Sequence, residues 1–395
     1  MLRNKPVRII TTLLFCLTCI HYVLKAQEDD TWRAISIAMS DNGRYLAVKY
    51  GENIPGHREF HHGIWIYDFE DLLLPPQYLG EMLDPEARMV FSPDSRYFAL
   101  GGYYRLLVFD ADSKVTILDL PNSVTALRTD FKWISFSPDS NYIMSYSDWW
   151  TYDHEMSIWN VHTGQRVHAV AALRSQQWVQ RPWLSPDWTQ FIDWSRHELA
   201  VIYEFDIEQG LGQLLAGISA LDAGAAFSPD GSLFAFATWE GELQVYETYT
   251  WTLKNMIQHH QTPCGDLGVR FAFSHSKPLL AASCRPDQSV SVWNFETNEV
   301  IFLAETFSAD PAFTLDDENL IASTIGLSPE NSSIHVWNVP RGYELAIYHG
   351  KDPKLHPNNE LMASIGPDGK VWIWNIRLKK LLVILPVPQP DIIYP

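Results

Sequence analysis

Residues 134–170 read ISFSPDSNYIMSYSDWWTYDHEMSIWNVHTGQRVHAV, and seven other stretches of the chain copy this plan. A short apolar run closes on the turn Ser137-Pro138-Asp139, and a second run leads into a loop. A third run ends in Trp159-Asn160, and a Thr-Gly turn with a last apolar piece completes the unit. Pro138 presets φ at the second position of a tight turn, while Ser137 and Asp139 can hydrogen-bond their own turn backbone. The flanking runs are short and rich in Ile, Phe, Tyr and Trp, which reads as strand. No stretch after the first 26 residues sustains a helical period. Four strands joined in this way give an antiparallel sheet with two partly apolar faces, which stays stable only by stacking between copies of itself.

The units fall at about 31–80, 89–121, 134–170, 181–218, 225–257, 269–305, 311–348 and 353–385. Their first turns are SDNG at 40–43, SPDS at 92–95, SPDS at 137–140, SPDW at 185–188, SPDG at 228–231, SHSK at 274–277, TLDD at 314–317 and HPNN at 356–359. Six serines that open these turns, from Ser40 to Ser274, lie roughly 40 to 52 residues apart. An aromatic residue followed by Asp or Asn ends most third runs: Tyr67-Asp68, Phe109-Asp110, Trp159-Asn160, Phe205-Asp206, Trp293-Asn294, Trp337-Asn338 and Trp374-Asn375. Asp368-Gly369 adds a two-residue hairpin signal in the last unit.

These turns and aromatic pairs together resemble the WD-repeat family of β-propellers, and the likeness covers nearly all of 31–385. It implies an all-β ring of eight four-stranded blades, with seven as the alternative if the first unit sits outside the ring. The chain departs from the family in two ways. No Gly-His pair precedes the first strands, and Asn replaces Asp after every one of the four matching tryptophans.

Residues 1–26 place Arg3, Lys5 and Arg8 ahead of an apolar core from Ile9 to Ile20, with small Ala26 before Gln27-Glu28-Asp29-Asp30. This layout predicts a secretory signal and an exported, periplasmic or secreted protein. An uncleaved membrane anchor is the alternative, and no membrane insertion is expected once the signal is removed. The net charge of −18 becomes −22 without the signal, because 25 bases then face 47 acids. That sign disfavours nucleic acid and anionic membrane surfaces as partners. Residues 386–395 form a Pro-rich tail.

Strand direction alternates, so the first and third turns of every unit share one face, and the other connections share the opposite face. The Ser-Pro-Asp face is short throughout. The opposite face carries GENIPGHREFHHG, DWWTYDHE, QHHQTPCGD and IGLSPENSS. Insertions gathered on one face of a repeat protein mark a binding face. The candidate binding residues there are His57, Arg58, His61, His62, Trp149, Trp150, Tyr152, Asp153, His154, Trp239, His259 and His260. The histidines show no ligand spacing of a metal site, so no metal is assigned. Cys264 and Cys284 lie at this same end of adjacent strands, and an oxidising compartment predicts a disulfide between them. Asn331-Ser332-Ser333 is a glycosylation sequon in a eukaryotic host.

No nucleophile elbow, zinc-protease helix or phosphate-binding glycine loop occurs. A resemblance to eight-bladed quinoprotein dehydrogenases rests on blade number and tryptophan alone, so no cofactor is assigned. The chain therefore reads as a non-catalytic scaffold for unidentified protein partners, acting through its long-loop face. The alternative is a carbohydrate-binding or carbohydrate-cleaving propeller, which would expose Trp149 and Trp150 beside Asp148 and Asp153.

Overall fold

A computed structural model describes residues 32–388 apart from 53–61, 73, 82–86, 103–104, 122–130, 132, 147–154, 172–182, 196–198, 220–223, 239–241, 259–268, 285–288, 306–308 and 325–331. The chain forms eight four-stranded antiparallel sheets, each made of four consecutive strands. Blades 1 to 8 span Trp32–Glu81, Arg88–Pro121, Trp133–Ala171, Trp183–Ser219, Ala225–Gln258, Val269–Glu305, Ala309–His349 and Lys351–Leu385. The ring therefore has eight blades, the first unit included.

The first turns explain why the pattern repeats. In blade 2 the Ser95 N–H donates to Ser92 C=O at 2.7 Å. The Ser92 hydroxyl donates to Asp94 Oδ1 at 2.6 Å and accepts the Tyr97 N–H at 2.8 Å. Blades 3 and 5 repeat this set with Ser137-Asp139-Tyr142 and Ser228-Asp230-Leu233. The serine is buried in each case, so its hydroxyl supplies the partner that two strand ends would otherwise lack. In every blade but the sixth the fourth turn residue takes the left-handed conformation, with φ of +60° at Ser95, +61° at Ser140, +57° at Trp188 and +54° at Asp317 among them. Short polar side chains tolerate that region better than bulky ones, and Trp188 is the exception, its ring buried in the core between blades 3 and 4.

The Asn or Asp after the aromatic residue caps the next turn. Asn160 Oδ1 accepts the His162 and Thr163 N–H groups at 3.0 and 2.9 Å, and Asn294 does the same for Glu296 and Thr297. An amide oxygen serves here as well as a carboxylate, which accounts for the replacement of Asp by Asn. Two of the tryptophans keep a bond inward, Trp159 Nε1 donating to Ser145 Oγ at 3.0 Å and Trp374 Nε1 to Ser364 Oγ at 2.9 Å, while Trp293 Nε1 donates to Asn298 Oδ1 at 3.2 Å.

Second strands such as Tyr97–Gly101 and Leu279–Cys284 are buried along their whole length, while the fourth strands lie outermost and half-exposed. Apolar clusters bridge every neighbouring pair of blades. Phe98 and Leu107 of blade 2 meet Ala47 and Ile64 of blade 1, for example, and Phe273 and Trp293 of blade 6 meet Leu243 and Val245 of blade 5. A fully enclosed side chain such as Trp293 contributes about 2–3 kcal/mol through burial.

The closing seam between blades 8 and 1 holds Trp32, Tyr50, Trp65, Ile365, Ile373 and Leu385 in one cluster. Bonds that cross it include Ala34 N–H to Gly369 C=O at 2.7 Å, Ile37 N–H to Asp352 Oδ2 at 3.0 Å and Tyr67 O–H to Pro386 C=O at 3.5 Å. Asp352 sits at φ +51° just before Pro353, in a pairing irregularity between Lys351 and Lys354. Blade 7 repeats the device with Asp310, at φ +43°, before Pro311. First strands have no partner on their inner edge, so proline is tolerated there.

Candidate functional site

The long-loop face is anchored by described stems, but most of its predicted binding residues lie outside the described residues. Those are His57, Arg58, His61, Trp149, Trp150, Tyr152, Asp153, His154, Trp239, His259 and His260, together with Cys264. His62 is described, and it stands apart from an exposed binding loop. It opens the third strand of blade 1 and is 2% exposed. Its ring packs opposite Gly51, where any Cβ would meet it at 2.8 Å, so the absence of a side chain at 51 makes room for the imidazole. Cys284 ends the second strand of blade 6, is fully buried and is disulfide-bonded.

The stem of the blade 7 insertion is clamped by polar bonds. Thr324 N–H donates to Ser333 C=O at 2.7 Å, and Ser333 N–H donates back to Thr324 Oγ1 at 2.7 Å. Blade 8 is low on this face. Gly350 alone joins it to blade 7, with φ +130°, and a Cβ there would lie 2.6 Å from Ile365 C=O. The turn Gly366–Lys370 is equally tight, with Gly369 N–H bonded to Gly366 C=O at 3.0 Å.

On the opposite face the turns interlock. In four blades the fourth turn residue accepts a backbone N–H from the turn of the blade before it: Ser95, Ser140, Asp317 and Asn359. Asn42 N–H reaches Ser95 Oγ at 3.0 Å, Asp94 N–H reaches Ser140 Oγ at 3.3 Å, and Leu315 N–H reaches Asn359 Oδ1 at 2.7 Å. Asp317 is the strongest of these locks. Its fully buried carboxylate accepts the His275 and Ser276 N–H groups and the Ser276 hydroxyl, all at 2.7 Å, with His275 Nδ1 at 3.1 Å. Burial pushes this carboxyl up, but those bonds outweigh it and hold the group below the ordinary carboxylate value.

The four turns that depart from Ser-Pro-Asp belong to blades 6, 7, 8 and 1, which are consecutive in the ring. They line a cavity of about 400 Å³ with Asp41, His275, Leu315, Leu355, His356 and Asn359 among its walls. Burial pushes the Asp41 carboxyl up, and no described residue bonds it. Burial also lowers His356, whose Nδ1 accepts the Asn358 N–H at 3.1 Å and whose ring stacks on Phe69 at 5.2 Å. The imidazole is therefore neutral at pH 7. Beside it Leu315 is 51% exposed. A lone carboxylate next to an aliphatic wall suits an ammonium or guanidinium group on an apolar stem. Sequence reasoning passed over this cavity, although its signal was present in the run of four successive turns lacking the usual triplet. Among the described residues no group of three or more His, Cys, Asp or Glu could hold a metal ion.

No known family model matches the chain, and no curated protein matches it in sequence. Solved structures do resemble it. Sqt1 from Chaetomium thermophilum superposes with a TM-score of 0.64 at 15% identity, covering 88% of this chain and 99% of that one. The same protein bound to the N-terminus of the ribosomal protein L10 gives a TM-score of 0.63 at 15% identity, covering 88% and 97%. The C-terminal WD40 domain of Sif2 gives 0.59 at 13% identity, covering 85% and 93%. At this level of identity the likeness carries the fold alone: the chain folds as a β-propeller of the WD40 type.

Proposed function

We propose that this propeller is an exported, non-catalytic scaffold that gathers protein partners on its long-loop face. The asymmetry between the two faces carries the reading. The turns of the short face are tied to one another through Ser95, Ser140, Asp317 and Asn359, whereas the strand ends at Glu52 and His62, Tyr146 and Glu155, Gln258 and Val269, and Ser323 and Ser333 all face the other side. Rigid stems that present variable loops are the usual division of labour between scaffold and recognition. The excess of acid, −18 over the whole chain, favours a basic partner over a nucleic acid. One structural neighbour was solved with the N-terminus of another protein bound, which is in keeping with this reading.

The test is affinity capture from the native envelope with the full chain and with versions shortened within 148–154 and within 53–61, outside the strands. Loss of specific partners on shortening supports the long-loop face, and an unchanged partner set in both refutes it. Nothing in the described residues favours the carbohydrate reading, whose Trp149 and Trp150 lie outside them.

A further inference from the structure

Among the described residues each blade leaves the outer edge of its fourth strand unpaired, which gives the ring eight outer strand edges. Exposed edges recruit other strands unless charge, proline or covering blocks them. Seven of the eight carry such a block: Glu81, Asp119 with Pro121, Arg166, Lys254, Glu299, Glu344, and Lys380. The eighth, Gly210–Ser219 of blade 4, reads GLGQLLAGIS. It has no charge and no proline, and at ten residues it is the longest of the set.

The geometry points to this edge as a strand-addition site for an extended segment of a partner protein that carries a cation at one end. Gly210 is covered by the His168 ring of blade 3, and pairing is irregular opposite Ile202, Tyr203 and Phe205. The regular ladder is Ala216–Ser219 against Leu199–Ile202, with Leu214 just ahead of it and 62% exposed. A Cβ at Gly217 would meet nothing within 4 Å, so an added strand could lie close there. At the turn-face end of the same two strands stand the exposed acids Glu204, Asp206 and Glu208, and no Lys or Arg occurs between 199 and 219. Gln213 Nε2 already donates to Glu204 Oε1 at 2.8 Å, which shows that carboxylate reaching the outer strand. A second copy of the chain fits less well, because it brings the same acids and a charge of −18 to the same edge. Main-chain bonds would give the segment its affinity, and the acids would set its direction.

The test uses the full chain and a fluorescent peptide, Lys-(Thr-Val)3-Lys, followed by anisotropy, with Glu-(Thr-Val)3-Glu as the counterpart. The basic peptide should bind and the acidic one should not. Leu214→Lys should weaken binding roughly tenfold or more, since it installs the missing block. Leu303→Lys, on the blade 6 edge and 59% exposed, should change nothing and controls for added charge. Equal binding of both peptides, or equal loss in both variants, overturns the proposal. So does light scattering that shows a dimer of the full chain dissolved by Leu214→Lys, which would assign the edge to a second copy.

Discussion

Asp317 offers a quantitative check on the interlocked turns. Three bonds at 2.7 Å from the blade 6 turn end on its buried carboxylate. Net of water, a bond to a charged acceptor contributes about 1.5 kcal/mol at the low end. His275 and Ser276 are themselves exposed, so water recovers part of this, and the lock contributes about 3 kcal/mol. The residue also sits at φ +54°, which costs a side chain with a Cβ about 1 kcal/mol. Asp317→Ala keeps that strain and should lose about 3 kcal/mol, whereas Asp317→Gly relieves it and should lose about 2 kcal/mol. With unfolding entropy near 2.1 cal/mol/K per residue over roughly 350 folded residues, the Tm should fall by about 4 and 3 °C. Ser95→Gly removes one neutral lock but relieves the same kind of strain, so it should be nearly neutral. Scanning calorimetry on the three variants reads this order directly. A glycine variant at 317 as stable as the parent, or an alanine variant no worse than glycine, would refute the reasoning.

Acid should loosen the turns together. Burial pushes Asp94, Asp139, Asp187 and Asp230 up, but their serine and backbone donors outweigh it and hold all four below the ordinary value of 3.8. A depressed folded value means the stabilisation is complete above about pH 4 and disappears as pH falls through the folded values, so a Tm against pH curve should drop steeply below pH 4. Trp374→Phe leaves the fully buried Ser364 hydroxyl without its partner and should cost about 1–3 kcal/mol in urea denaturation. If Cys284 bonds Cys264, non-reducing peptide mapping of the chain should return one bridged pair and no free thiol at either position.

The fold was legible because strand, turn and repeat all point the same way. A Pro-fixed turn, a buried hydroxyl under it and an aromatic-Asn pair beyond it recur often enough that no single exception obscures the count. What escaped reading was set by neighbours in space. His62 follows a polar run and has no alternation before it, yet the empty position at Gly51 across the ladder draws it into the interior. The Asp-Pro steps at 310–311 and 352–353 look like strand breakers until the inner edge is known to lack a partner. The cavity beside Asp41 depends on four turns that are far apart in the chain and adjacent only in the ring. The exposed edge at Gly210–Ser219 reads as an ordinary apolar run until its seven counterparts are set beside it.

The way the ring closes has a bearing on how it can be rewired. No blade borrows a strand from the opposite end of the chain, so Trp32 and Leu385 simply arrive on the same side of the disc at adjoining blades. A short bridge between those two ends, with a new opening in any connector between blades, would leave all eight sheets intact. Such circularly permuted chains would have eight equivalent starting points, and unit duplication or loss would require only a change in the angle between sectors.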